Sequence, residues 1–244
     1  MTDKLEREQV KEVKQVTKTI KENLKTILQV KNVTETSADL YFYGDIVSSW
    51  WGAWDDTDQY PDAVKSFLDN AKGKELNIYI NSGGGSVFAG IAIYNMIKRH
   101  QGYKRVYVDG LAASISSIIA LAGDETYIPR NAYYMVHKPW FAVAGNADDL
   151  RTHADVLDTV ESGMMSIYME NAKEGVTEEQ IRQMLTEETW LTGEEASQYF
   201  DIRVSDEVAA VACVSDMYKE FKHTPKALTT QKPEDRSADY MFSF

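Results

Sequence analysis

Three short stretches carry residue types that could do chemistry together. In "DGLAASISSIIALAG", Ser114 follows two alanines at the corner between a β-run and an apolar helical run. In "YYMVHKPW", His137 closes an apolar β-run. A serine hydroxyl beside a neutral imidazole is a nucleophile with its general base, and small neighbours let a substrate backbone come close. The third stretch, "NSGGGSV", puts three glycines between a β-run and a helix start, where free backbone N–H groups can face an anion or an oxyanion. Each stretch also has an ordinary reading. Ser114 can be a helix N-cap, His137 a core histidine with its hydrogen bonds met, and the glycines a tight turn. The glycine run is not a phosphate-binding P-loop, because no Gly-Lys-Ser/Thr follows it, and it lacks the spaced glycines of a dinucleotide turn.

The elements needed to position these residues are legible in the apolar periodicity. Residues 5–27 repeat at three and four, as an amphipathic helix does. "DLYFYGDIV" alternates and is rich in Tyr and Phe, a strand pattern ending near Gly44. "DAVKSFLDNAK" has helical spacing; "ELNIYIN" is a β-run answered by the helix after the glycines; "KRVYVDG" is a second β-run answered by the helix that starts near Ser114. "ETYIP" and "AYYMVH" add short strands, and a long helical pattern runs from Ala147 to about Ala172. "VTEEQIRQML" and "TGEEASQYF" read as short helices, each opened by a capping Thr. Strands alternating with helices predict βαβ units and a mostly parallel sheet. Ser114, His137 and the glycines then all fall near strand ends, the edge at which open α/β sheets place their sites.

Composition bounds the function classes. The chain has 244 residues, 43% hydrophobic and 26% charged, with a formal net charge of −12. That balance argues against a nucleic-acid or anionic-membrane surface, either of which needs clustered Lys and Arg. A single cysteine, Cys213, leaves no internal disulfide, and there is neither an 18-residue apolar run nor the apolar core of a signal peptide, so the expected setting is a reducing, cytoplasmic one.

Taken together, "YINSGGGSVFAGIAIYNMI", "GLAASISSIIALAG", "YMVHKPW…GNADDL" and "ETWLTGEEASQYFDI" resemble, in order and spacing, the Clp protease proteolytic-subunit family over about residues 39–206. The "WWG", "HKPW" and "EETWLT" variants look most like its phage branch, the head maturation proteases. The resemblance implies an α/β fold of the ClpP/crotonase-like kind, with repeated ββα units and mostly parallel sheets. It implies a serine endopeptidase, needing no metal or cofactor, assembled into a homo-oligomeric ring of six or seven subunits, single or stacked. By match to the family's motifs, Ser114 is the nucleophile, His137 the base, and the backbone N–H groups of Gly85 and Ile115 the oxyanion hole. In place of the main branch's aspartate stands Glu188, taken as the third triad member, with Asp148, Asp149 and Asp155 as fallbacks. Gly83 stands where the family usually has proline, which implies a more mobile loop and lower basal activity.

The phage-branch resemblance implies a substrate such as a capsid scaffold or the protease's own precursor, cleaved in the cytoplasm or within the prohead, whereas a general proteolytic role implies an unfoldase ATPase as partner. The expected organisation is a helical extension over 1–30, a protease domain over 31–221 and a polar tail over 222–244. The other histidines, His100, His153 and His223, read as structural or solvated. A Ser-Lys dyad through Lys138 is disfavoured, because Lys138 and His137 adjoin in an extended run and point to opposite faces. A catalytically silent ring protein, acting as scaffold or assembly factor, is the alternative from outside the enzymes.

Overall fold

Strand β2 (Glu75–Ser82) shows how the sequence pattern becomes a sheet. Leu76, Ile78 and Ile80 are fully buried on one face, while Asn77 and Tyr79 between them are half-buried on the other. The structure is a computed structural model that describes residues 34–49, 58–206 and 221–225. The expected N-terminal helix, Cys213 and most of the tail lie outside the described residues.

The seven described strands form one sheet. β1 (Ser37–Phe42), β2, β3 (Lys104–Ala113), β4 (Glu125–Pro129) and β7 (Arg203–Ser205) lie side by side in that order, all parallel. The long β3 serves two partners. Its first half pairs with β4, and its last three residues pair with β5 (Tyr133–Val136). β5 in turn pairs antiparallel with β6 (Thr189–Thr192), the one antiparallel ladder of the sheet. The α/β reading with a mostly parallel sheet therefore holds. The periodicity of the sequence does not mark β6 and β7 as strands. Each is only three or four residues long and takes its conformation from pairing with a neighbour rather than from its own alternation.

Six helices are described: α1 (Pro61–Asn70), α2 (Val87–Lys98), α3 (Ile115–Ala120), α4 (Ala147–Glu170), α5 (Glu178–Glu187) and α6 (Gly193–Tyr199). The capping threonines are those the sequence indicates. Thr177 and Thr192 each close a capping box with the side chain three residues on, Gln180 and Glu195. The core lies between the aliphatic face of the sheet and the helices, with Ile78, Ile80, Val106 and Val108 packed against Ile93 and Ile97 of α2 and Ile115, Ile118 and Ile119 of α3. Along the opposite face, Tyr41, Tyr79, Tyr107 and Tyr127 stack across β1 to β4 with ring centroids 4.8 to 5.3 Å apart. α3 is buried at all six positions, so the residues at its start are held on every side.

Candidate active site

Strand pairing brings Ser114 and His137 together. β3 and β5 run parallel with Ala113 opposite Met135, and the Ser114 N–H donates to the Met135 carbonyl at 3.0 Å. The next residues of each strand are the nucleophile candidate and its neighbour Val136, with His137 one step on. His137 Nε2 lies 2.8 Å from Ser114 Oγ, a hydrogen bond between side chains that are 7% and 8% exposed. Ser114 does not cap α3 through its side chain. Its hydroxyl is free for the imidazole.

The backbone at this corner is strained. Ser114 has φ 55° and ψ −129°, a region that side-chain-bearing residues avoid. Among the described residues, Ser114 and Glu188 are the two non-glycine positions with positive φ. Such conformations cost roughly 1–3 kcal/mol each and collect where function requires them. Both fall on residues that the sequence singled out for catalysis.

β6 aligns the acid. Val136 sits opposite Thr189 in the antiparallel β5–β6 ladder, so the residue before Thr189, Glu188, is set opposite His137. Glu188 caps α5 in the left-handed region, with φ 52° and ψ 71°. Its carboxylate makes no hydrogen bond to His137. Instead Glu188 Oε1 accepts from the His223 backbone N–H at 2.6 Å, and His223 Nδ1 lies 3.0 Å from the Glu187 carbonyl oxygen. The charge of Glu188 still acts on the imidazole. Burial pushes the His137 pKa down from its ordinary value, and the Glu188 carboxylate pushes it partway back up. The base is therefore held neutral, the form that can take a proton.

The fallback carboxylates are elsewhere. Asp148 and Asp149 sit in the exposed first turn of α4, Asp149 closing a capping box with Asn146 and Asp148 paired with Arg151 at 2.7 Å. Asp155 is exposed on the same helix. Lys138 is engaged elsewhere too: its ammonium is 3.1 Å from Glu161, a buried carboxylate that Arg182 contacts at 2.8 Å. That pairing holds Lys138 in an ion network tying α4 to α5. His100 Nε2 lies 2.7 Å from the Lys74 carbonyl oxygen, and His153 packs edge-on against Phe141. No group of three or more His, Cys, Asp or Glu among the described residues could hold a metal ion.

The glycine loop closes over the serine. Gly84 has φ 100°, and a Cβ there would lie 2.7 Å from Ser114 Cβ and 3.2 Å from the Ile115 nitrogen. Gly85 has φ 139°, and a Cβ there would strike the Ile46 carbonyl oxygen at 2.1 Å. The loop is pinned to the segment after β1, since the Ile46 N–H donates to the Gly84 carbonyl and the Ser86 N–H to the Ile46 carbonyl, both at 2.7 Å. Between these bonds, the N–H groups of Gly85 and of Ile115 have no acceptor among the described residues. They are available to a carbonyl oxygen approaching Ser114.

The sequence matches the Clp protease family over residues 63–202, more than half of the chain. The chain belongs to the Clp protease family. Within this family it is similar to the ATP-dependent Clp protease proteolytic subunit 2 of Corynebacterium efficiens, 33% identical over 128 residues, which cover 52% of this chain and 63% of that protein. It is also similar to the proteolytic subunit 1 of Chlamydia abortus, 31% identical over 131 residues, 52% of this chain and 67% of that protein. The proteolytic subunit of Bacteroides fragilis is 28% identical over 137 residues, 54% of this chain and 65% of that protein. The aligned stretch thus spans about two thirds of the length of these relatives.

Ser114, His137, Glu188 and both loop glycines lie inside the matched Clp protease region. Two residues at the site do not. Phe221 packs its ring edge-on against His137, with centroids 5.2 Å apart, and His223 supplies the N–H on Glu188. The sequence offered one weak signal for them, an aromatic at the start of an otherwise polar stretch, "FKHTP".

Proposed function

We propose that this chain is a serine endopeptidase. The observation that carries the reading is the 2.8 Å contact between Ser114 Oγ and His137 Nε2 beneath a glycine loop with unspent N–H groups. In the first step Ser114 Oγ bonds to the scissile carbonyl carbon while its proton passes to His137 Nε2. The carbonyl oxygen becomes an oxyanion facing the Gly85 and Ile115 N–H groups. Donors of this kind are worth about 3–4 kcal/mol each in related chemistry. The C–N bond then breaks, the leaving amine takes the proton from His137, and water repeats the sequence on the acyl-enzyme to free Ser114. Glu188 contributes by favouring the imidazolium that forms between these transfers.

Finer assignments rest on the resemblance. Relatives named as proteolytic subunits support a polypeptide substrate and a homo-oligomeric ring, and their description as ATP-dependent supports an unfoldase partner. Exposed Trp140, Phe141, Val143, Leu150 and Val156, on the loop after His137 and on the first turns of α4, are apolar surface suited to subunit contacts. The "WWG", "HKPW" and "EETWLT" variants support a role in phage head maturation, on a scaffold or capsid precursor. The single cysteine and the phage-branch motifs support a cytoplasmic or prohead setting. No described helix is long and apolar enough to cross a membrane.

A second reading, a ring protein with a silent site, draws on the Glu188 carboxylate being bonded to His223 rather than to His137. Covalent labelling with a fluorophosphonate separates the two. The wild type should be labelled at Ser114 and Ser114→Ala should not. A wild type left unmodified at millimolar probe would favour the silent ring.

A further inference from the structure

We propose that the segment Phe221–Pro225 is a working part of this active site: Phe221 is a positioning residue for the His137 imidazole, and the His223 N–H is the group that holds Glu188. The proposal rests on the serine-peptidase reading and extends it to residues beyond the end of the family match at 202.

The argument begins with how little else fixes the imidazole. Its Nε2 bonds to Ser114 Oγ, and among the described residues its Nδ1 has no hydrogen-bond partner. In a serine-protease triad the acid fixes the tautomer and plane of the histidine through that nitrogen. Here that place is taken by packing. Phe221 is 8% exposed and meets His137 edge-on at 79°, and it is itself braced at 5.8 Å by Trp190 of β6. It completes a small apolar cluster with Leu111, Ala113 and Met135 that is separate from the main core. The floor of this cluster comes from β3 and β5, and among the described residues Phe221 covers it, with the half-buried rings of Trp190 and Tyr133 packed alongside. A few atoms away the same segment is anchored twice to the end of α5, by the His223 N–H on Glu188 Oε1 and by His223 Nδ1 at the Glu187 carbonyl. One segment thus touches the base with its aromatic ring and the acid with its backbone.

This arrangement predicts a particular failure on removal. Without the Phe221 ring, water reaches the imidazole, the protonated form is no longer penalised by burial, and the ring can turn away from Ser114. Burial is the main cause of the lowered His137 pKa. Its loss must raise that pKa and move the acid limb of the activity profile to higher pH. The charges around His137 leave this sign intact. Glu188 already favours the charged form, Lys138 is paired with Glu161, the His223 ring is turned to the Glu187 carbonyl, and Lys222 is exposed.

The test is the rate of Ser114 phosphonylation by a fluorophosphonate, followed from about pH 5 to 9 on the full chain. Phe221→Ala should slow labelling about tenfold or more and raise the midpoint of the acid limb by about half a unit to one unit. Phe221→Leu restores the apolar cover and should return the midpoint to the wild-type value, with a rate within about threefold. His223→Pro removes the N–H and should lower the plateau about tenfold, whereas His223→Ala keeps the N–H and should lose less. A labelled wild type with an indifferent Phe221→Ala overturns this proposal alone, as does a rate loss with the limb unmoved. If Phe221→Ala does not fold, wild-type rates in His223→Pro overturn it. An unlabelled wild type overturns the peptidase reading and takes this proposal with it.

Discussion

On one side of His137 backbone register carries through to the contact itself, and on the other the register stops one residue short, leaving the carboxylate to a helix end and a returning segment. The nucleophile side is rigid by construction. Parallel pairing of β3 with β5 fixes Ala113 opposite Met135, the Ser114 N–H is bonded into that ladder, and the helix that follows is wholly buried. On the acid side the β5–β6 ladder ends at Thr189, and Glu188 beyond it is a left-handed residue at the C-terminus of α5 whose carboxylate is held by His223. Strand register tolerates little displacement, because sliding by one residue would turn every buried side chain outward. A helix end held by a few hydrogen bonds can shift at far lower cost. The machinery for attack is thus preorganised, while the acid is held near but not on the imidazole.

The largest effects should fall on the rigid side. Ser114→Ala should lower peptide hydrolysis by at least about 10³-fold with the fold intact, and His137→Ala by a similar factor. Their combination should cost no more than either alone, because the two act as one unit. Additive losses in the double variant would mean that Ser114 and His137 do not share a proton, and the comparison would lose its first term.

Next comes the loop over the serine. Gly84→Ala puts a methyl group 2.7 Å from Ser114 Cβ at a φ that side-chain-bearing residues avoid. Peptide turnover should fall about 100-fold, the scale of losing an oxyanion donor. Phosphonylation should fall with it, because the proposed mechanism has that reaction draw on the same N–H groups. Full turnover in Gly84→Ala would show that the loop leaves Ser114 during the reaction and is not part of the rigid side.

The difference between the two sides also explains what could be read from sequence. Ser114, His137 and the glycines each stand at or just past the end of an apolar β-run, so local pattern places them on one sheet edge. Glu188 was marked by its motif, but its position opposite His137 depends on β6, a four-residue strand with too little pattern to announce itself. Asp148, Asp149 and Asp155 competed with it on sequence because nothing local tells a capping or exposed carboxylate from one facing an imidazole. The contact of Phe221 with His137 joins residues far apart in the chain through tertiary packing, and no periodicity encodes such a contact.

Glu188→Gln tests the loose side. If the acid stays where the structure puts it, losing its charge should cost about 10- to 100-fold, well short of the roughly 10⁴-fold seen when a directly bonded triad acid is made an amide. The pH profile gives an independent sign. Glu188 raises the His137 pKa against the effect of burial, so removing its charge lets that pKa fall further. The acid limb of hydrolysis should move to lower pH even as the plateau drops. A loss near 10⁴-fold would mean that Glu188 leaves His223 and bonds His137 when substrate binds, and the contrast between a rigid and a loose side would vanish in the working enzyme.

The smallest effect is one of stability, and it asks whether the two strained residues carry comparable strain. Ser114 at φ 55° and Glu188 at φ 52° both sit where glycine is at ease. Glycine removes a cost of roughly 1–3 kcal/mol in the folded state and adds about 0.4–1 kcal/mol of unfolded-chain entropy, so each substitution should stabilise by about 1 kcal/mol on balance. Ser114→Gly should show the gain in full, because the lost hydroxyl leaves Ala113 and Ile115 packed as before. Glu188→Gly gives up the bond to the His223 N–H as well, so its gain should be smaller. Thermal unfolding of the two variants beside Ser114→Ala, which keeps the strain, reads this order directly. A Ser114→Gly variant melting below Ser114→Ala would mean that the nucleophile's corner is relaxed in solution and that the rigidity assigned to this side comes from packing alone.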